Sequence, residues 1–165
     1  MEIERKFLID QLPQDIDKNP KSQLSQAYIC TNPVIRVRRQ DDSYILTIKS
    51  GGLMARQETE FPLGKEAYHH LLEKADGIII EKTRYRIPDT RSDKEYLIEL
   101  DVFQGIYEGF IMAEVEFSSV EEALAYTPPG WFGPDVTKDS RFHNSNLSRR
   151  SPEEAAEFIN QLKNF

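Results

Sequence analysis

A chain of 165 residues, 39% hydrophobic and 30% charged, is long enough for one globular domain with a buried core. Its formal net charge of -7 opposes an extended nucleic-acid-binding surface while leaving room for a local cationic pocket. A lone cysteine (Cys30), no apolar run near the roughly 20 residues that cross a bilayer, and a charged amino terminus together predict a reduced, cytoplasmic protein without a membrane span or structural zinc.

In chain order, strand signals dominate. Residues 2–9, 34–39, 44–49, 57–61, 78–87, 96–103 and 110–117 alternate in polarity or carry β-favouring side chains. Turn-like groups separate them: Asp41-Asp42-Ser43, Ser50-Gly51-Gly52, residues 88–94 and residues 105–109. The first and third predict connections between neighbouring antiparallel strands. Helices are short insertions. Residues 64–76 place Tyr68, Leu71, Leu72 and Ala75 on one side, and residues 119–126 open on the capping-box spacing Ser119-Val120-Glu121-Glu122. Ser151-Pro152-Glu153-Glu154 is a stronger start, with proline at the first helical position. It predicts a terminal helix over about 152–164, packed through Ala155, Phe158, Ile159 and Leu162. Around Trp131, a packing anchor, residues 130–134 form a turn-rich connection. Nothing marks an internal boundary, so residues 1–165 make one domain.

Strand residues two apart share a face, and that rule sorts the charges. Glu2, Glu4 and Lys6 fall opposite Ile3 and Phe7; Arg36 and Arg38 opposite Val37; Lys49 opposite Ile48; Glu58 and Glu60 opposite Thr59 and Phe61. Downstream, Lys82, Arg84 and Arg86 share a face, as do Glu99 with Asp101 and Glu114 with Glu116. A sheet with one wet face would mix Thr, Ser, Gln, Lys and Glu freely. Here like charges recur at i and i+2, which demands compensation by opposite charges or a metal. Helices covering the apolar faces from outside would leave the charges lining a closed barrel.

Both signs together suit a metal–triphosphate site. Carboxylates suit Mg²⁺ or Mn²⁺, while Arg and Lys suit phosphate oxygens. A neutral or apolar substrate would leave so many cations without a role. The reading is therefore metal-dependent hydrolysis of a small triphosphate. Cys30 and the histidines stay outside the charged pattern: His69 and His70 fall on a helix, and His143 in a loop with a structural or solvent role.

Glu2-Ile3-Glu4-Arg5-Lys6 resembles the E-x-E-x-K signature of the CYTH domain, the triphosphate tunnel metalloenzyme superfamily. The likeness continues through Arg36-Val37-Arg38, Leu46-Thr47-Ile48-Lys49, Arg56-Gln57-Glu58-Thr59-Glu60, Lys82-Thr83-Arg84, Glu99-Leu100-Asp101 and Glu114-Val115-Glu116. Residues 136–144 resemble the late loop of that family, with Phe142 where relatives often carry tyrosine. The resemblance implies an α+β fold: a closed, eight-stranded antiparallel barrel with a charged interior and helices packed outside. It also implies a metal held by Glu2, Glu4 and Glu116, and phosphates bound by Lys6, Arg36, Arg38, Lys49, Lys82 and Arg84. Glu114, Asp101 and Glu99 would hold a second metal or position water; Lys138 would add a cation near the substrate, Arg141 would do the same or brace the loop, and Arg56, in phase with Glu58 and Glu60, would contact phosphate or neutralise them.

Members of the superfamily include tripolyphosphatases, thiamine triphosphatases, RNA 5′-triphosphatases and one class of adenylate cyclase. The compact chain has little sequence left for nucleoside recognition, which leans the expectation toward inorganic tripolyphosphate, as in bacterial tripolyphosphatases. Adenylate cyclase, thiamine or nucleoside triphosphatase, and a non-catalytic polyphosphate- or nucleotide-binding module stay open as alternatives. The apolar outer faces could pack on the chain's own helices or on a second copy in a homodimer.

Overall fold

Alternating polarity produces nine antiparallel strands in a computed structural model that describes residues 1–164. They are β1 (Glu2–Leu8), β2 (Lys21–Thr31), β3 (Val34–Gln40), β4 (Ser43–Lys49), β5 (Ala55–Arg56), β6 (Glu58–Leu63), β7 (Asp76–Asp89), β8 (Tyr96–Phe103) and β9 (Ile111–Glu116). Their order across the sheet is β5-β1-β9-β8-β7-β2-β3-β4-β6.

The two ends of that order nearly meet. Glu2 of β1 lies opposite Arg56 of β5, Lys49 of β4 lies opposite Glu58 of β6, and Gln57 alone separates β5 from β6. At this break Ser50 N–H donates to the Gln57 carbonyl, and Gln57 N–H donates to Ser50 Oγ. The sheet is thus a nearly closed barrel. Its nine strands become the expected eight when β5 and β6 are taken as one strand interrupted at Gln57.

The strand absent from the sequence expectation is β2. It is eleven residues long and pairs with both β3 and β7. Its in-phase buried residues Ser22, Leu24, Gln26 and Tyr28 mix polar and apolar side chains, so no charge alternation announces it.

Helices cover the outer faces as the apolar residues require. The first, α1 (Lys65–Leu72), packs Tyr68, Leu71 and Leu72 on Ala27 and Val37. Next, α2 (Val120–Ala125) is capped by Ser119, whose side chain accepts from Glu122 N–H. It seals Ile98, Leu100, Ala113 and Val115 together with Tyr126 and Trp131. After a short turn, α3 (Asn144–Leu147), comes α4 (Pro152–Leu162), capped by Ser151 and ending slightly short of the expected bound. No helix among the described residues is long and apolar enough to cross a membrane.

One step beyond the charged positions, the inward face turns apolar. Leu8 follows Lys6, Phe103 follows Asp101, Ile80 precedes Lys82, and Met112 precedes Glu114. These four pack with Phe142, Leu147, Ala155 and Phe158, giving the barrel a floor at that end. Gly77, at φ +74°, permits this closure: a Cβ there would stand 2.1 Å from the Ser148 carbonyl oxygen.

Candidate active site

The inward faces enclose a cavity of about 270 Å³. Seven cations line it (Lys6, Arg36, Arg38, Lys49, Arg56, Arg84 and Arg86), matched by seven carboxylates. The carboxylates are Glu2, Glu4, Glu58, Glu60, Glu99, Glu114 and Glu116. Tyr28, Val34, Gln40, His143, Asn144 and Ser145 complete the wall.

Strand register explains the mixture. Across β1 and β9, Glu4 lies opposite Glu116 and Lys6 opposite Glu114; across β7 and β8, Arg84 lies opposite Asp101 and Arg86 opposite Glu99. Lys49 Nζ donates to Glu2 at 2.9 Å and pairs with Glu58 at 3.2 Å. Lys6 Nζ bonds Glu4, and Glu114 at 3.1 Å. Arg36 donates to Thr47 at 3.0 Å, and Arg38 grips Gln26 Oε1 through two nitrogens at 3.0 and 2.8 Å.

Arg84 is held most completely. Its guanidinium donates to both oxygens of Asp101 at 2.7 and 2.8 Å and to Glu99 at 2.7 Å. Asp101 also pairs with Lys82 Nζ at 2.7 Å, with no exposure on either side chain. Lys82 and Asp101 therefore stand behind the wall rather than on it. Lys138 is exposed and outside the lining, as is Arg141, whose guanidinium bonds Asp139.

Burial and neighbours set the charge states. Burial opposes the Glu2 carboxylate, but Lys49 and then Arg56 outweigh it and hold the group below its ordinary value. Glu4 is pushed up to about 7, by burial first and then by Glu114 and Glu2, against Lys6. Glu116 is also raised, by burial, Glu2 and Glu99. Glu114 lies well below the usual carboxylate range because Lys6, Arg84 and Lys82 override its burial. On the cationic side, burial and Arg36 lower Lys49 to about 8, while burial, Arg36 and Arg84 lower Arg38 to about 9. Lys82 falls to about 7 through burial, against the attraction of Asp101 and with the repulsion of Arg84 adding to the fall.

Several wall residues escaped the sequence expectation. Arg86 is in phase with Arg84 yet was not placed among the site residues. Tyr28 came with the unrecognised β2. His143, expected to be structural or solvated, ends the loop that leads into α3, and Asn144 and Ser145 open that helix. A loop carries no periodicity from which to read its direction.

Residues 1–125 match the CYTH domain family. The chain belongs to this family. The inorganic triphosphatase of Nitrosomonas europaea is 38% identical over 92% of this chain and 99% of its own length. The inorganic triphosphatase of Acetivibrio thermocellus is 32% identical over 88% of this chain and 92% of its own length. A crystal structure of an inorganic triphosphatase superposes with a TM-score of 0.68 at 35% identity, over 92% of this chain and 97% of that one.

CYTH membership implies a divalent-metal cofactor, and the acidic part of the wall has suitable donors. Burial, and then crowding by Glu114 and Glu2, disfavours the charged form of Glu4, a burden that a hard cation relieves. Among the described residues no three acidic, histidine or cysteine side chains converge as a finished cluster. Instead the ammonium groups of Lys49 and Lys6 neutralise Glu2 and Glu4. A metal on those carboxylates would take over the role that the two ammonium groups fill here.

Proposed function

We propose that this chain cleaves inorganic tripolyphosphate into pyrophosphate and phosphate with Mg²⁺ or Mn²⁺. The observation that carries the reading is the wall itself: among the described residues it has fourteen charged side chains, against one phenol ring (Tyr28) and one aliphatic side chain (Val34). An adenine or thiazolium group would call for an aromatic or apolar platform. Its scarcity favours the inorganic substrate over ATP, thiamine triphosphate or a cyclase reaction. The two curated relatives, named inorganic triphosphatases, support the same choice.

In this mechanism Glu2, Glu4 and Glu116 would hold the metal. When bound, it neutralises phosphate charge and polarises the scissile linkage. Arg36, Arg38, Lys49, Lys6, Arg56, Arg84 and Arg86 take phosphate oxygens, with the guanidiniums able to fork. Glu114 and Glu99 orient the water that attacks the terminal phosphorus in line with the bridging oxygen, which leaves as part of pyrophosphate. Asp101 has both oxygens committed to Arg84 and one shared with Lys82, so we assign it to positioning Arg84. A guanidinium fixed before substrate arrives needs no reorganisation as charge shifts to the leaving oxygen. Lys82 supports that clasp from behind, and Arg141 braces the loop through Asp139.

The test is a product assay on tripolyphosphate, ATP and thiamine triphosphate, with Mg²⁺ or Mn²⁺ and with excess chelator. Orthophosphate release from tripolyphosphate that stops on chelation is expected. Undiminished turnover in chelator would overturn the metal mechanism. A tenfold preference for ATP in kcat/KM, about 1.4 kcal/mol, would overturn the substrate.

A further inference from the structure

Three buried side-chain polar atoms among the described residues lack a hydrogen-bond partner: Arg36 Nε, His143 Nε2 and Arg150 Nη1. The first two belong to side chains lining the same cavity. Buried polar atoms are nearly always paired, so two orphans in one charged cavity point to a ligand that pairs them. Arg36 is an evident phosphate partner. His143 is not, because nothing in its chemistry demands a phosphate until its surroundings are considered.

The backbone that carries the imidazole is fixed on both sides. His143 N–H donates to the Ser140 carbonyl, and its own carbonyl accepts from Asn146 and Leu147 N–H at 2.9 and 3.0 Å. Phe142 and Leu147, both fully buried in the floor, anchor the chain on either side. The next residue, Asn144, accepts from Lys82 Nζ at 3.2 Å. With 7% exposure, His143 is enclosed in the site rather than turned to solvent.

Its electrical surroundings select a neutral ring. Burial, then Lys6 and Arg56, lower it to about 4, with Lys49 acting the same way and Glu114 opposing. A neutral imidazole carries one N–H and one lone pair. An arriving polyanion brings only acceptors, so Nε2 meets it usefully when it carries the proton.

We propose that His143 is a substrate-contacting residue whose Nε2–H donates to a non-bridging phosphate oxygen from the floor of the barrel. This rests on the triphosphatase reading and adds to it a neutral donor among seven cations. It distinguishes His143 from His69 and His70, which lie on α1 outside the barrel.

The test combines spectroscopy with kinetics. Long-range ¹H–¹⁵N spectra of wild-type protein, with His143 assigned by its absence in H143Q, are recorded before and after adding Mg²⁺ and the non-hydrolysable imido analogue of tripolyphosphate. The Nε2–H tautomer is expected throughout, with its signals displaced on binding and those of His69 and His70 unmoved. H143L is expected to lower kcat/KM for tripolyphosphate about tenfold or more. H143Q, whose amide nitrogen reaches the Nε2 position, should recover most of that loss, whereas the shorter H143N should not.

Unmoved His143 signals at saturation, or wild-type kcat/KM in H143L, overturn the contact and leave the hydrolase reading intact. Wild-type protein that neither binds nor cleaves the triphosphate overturns both. If H143L fails to fold, the wild-type spectra still decide.

Discussion

Asp101→Asn probes the ionic clasp behind the cavity wall. The Asp101 carboxylate is fully buried between Arg84, at 2.7 and 2.8 Å, and Lys82, at 2.7 Å. The amide keeps the shape but leaves the Arg84 guanidinium buried without that counter-charge, and removes the attraction that keeps Lys82, already lowered to about 7, protonated. Breaking a buried pair in this way costs about 3–5 kcal/mol. A domain of this size loses roughly 2–4 °C in Tm per kcal/mol, so a fall on the order of 10 °C is expected. Thermal unfolding followed by circular dichroism, at pH 6.0 in metal-free buffer where Lys82 is protonated in the wild type, measures it. Adding Lys82→Met removes the buried amine that has lost its partner, with a side chain of similar length, and should recover part of the loss. The double-mutant cycle should show coupling of about 1–3 kcal/mol. A Tm for D101N within about 2 °C of wild type, or strictly additive effects, would refute the clasp.

Two further perturbations separate the inner face of β1 from its outer face. Because Glu4 is raised from 4.5 to about 7, the folded protein keeps a proton there that the unfolded chain releases. Its contribution to stability is therefore full below about 4.5 and fades as pH rises toward 7. Denaturant unfolding of the metal-free protein between pH 4.5 and 8 should show Glu4→Gln gaining on wild type by up to about 3 kcal/mol across that window. Glu2 and Glu114 contribute with the opposite sign, but they are common to both proteins; a pH-independent difference between the two curves would count against the assignment. Arg5 points the other way, donating to the Ala123 and Tyr126 carbonyls at 2.8 and 2.9 Å and to Asp135. Arg5→Ala should cost about 2–4 kcal/mol in unfolding free energy, while leaving kcat/KM of the folded protein within twofold of wild type. A large loss of turnover at unchanged Tm would place Arg5 in the site instead.

Much of the barrel is legible because its inner positions are charged. Glu2, Glu4 and Lys6, or Arg84 and Arg86, announce a strand and its inward face together. Where inner positions are Ser22, Leu24, Gln26 and Tyr28, no such contrast exists, and β2 is invisible despite its place between β3 and β7. Distance from the wall is equally hidden. Lys82 is in phase with Arg84 but lies one residue pair nearer the apolar floor, where Phe103 stands opposite it. Alternation reports the side of a strand and is silent about depth. The loop carrying His143 owes its direction to Phe142 and Leu147 anchoring in the floor, a long-range packing event.

The break at Gln57 aside, the barrel stakes its chemistry on parity. In β1, displacing the chain by one residue would deliver Ile3, Arg5 and Phe7 to the cavity and push Glu2, Glu4 and Lys6 into the packing beneath α2. A single-residue insertion or deletion within β1, β7, β8 or β9 thus exchanges the ionic lining for the core from the altered position to the strand's end wherever no bulge absorbs it. Substitutions alter one partner at a time, and hairpin turns such as Asp41-Asp42 can absorb a change in length. Variation in this chain is accordingly confined by reading position more than by residue identity: strand interiors are closed to length change, and tolerated insertions belong at the turns.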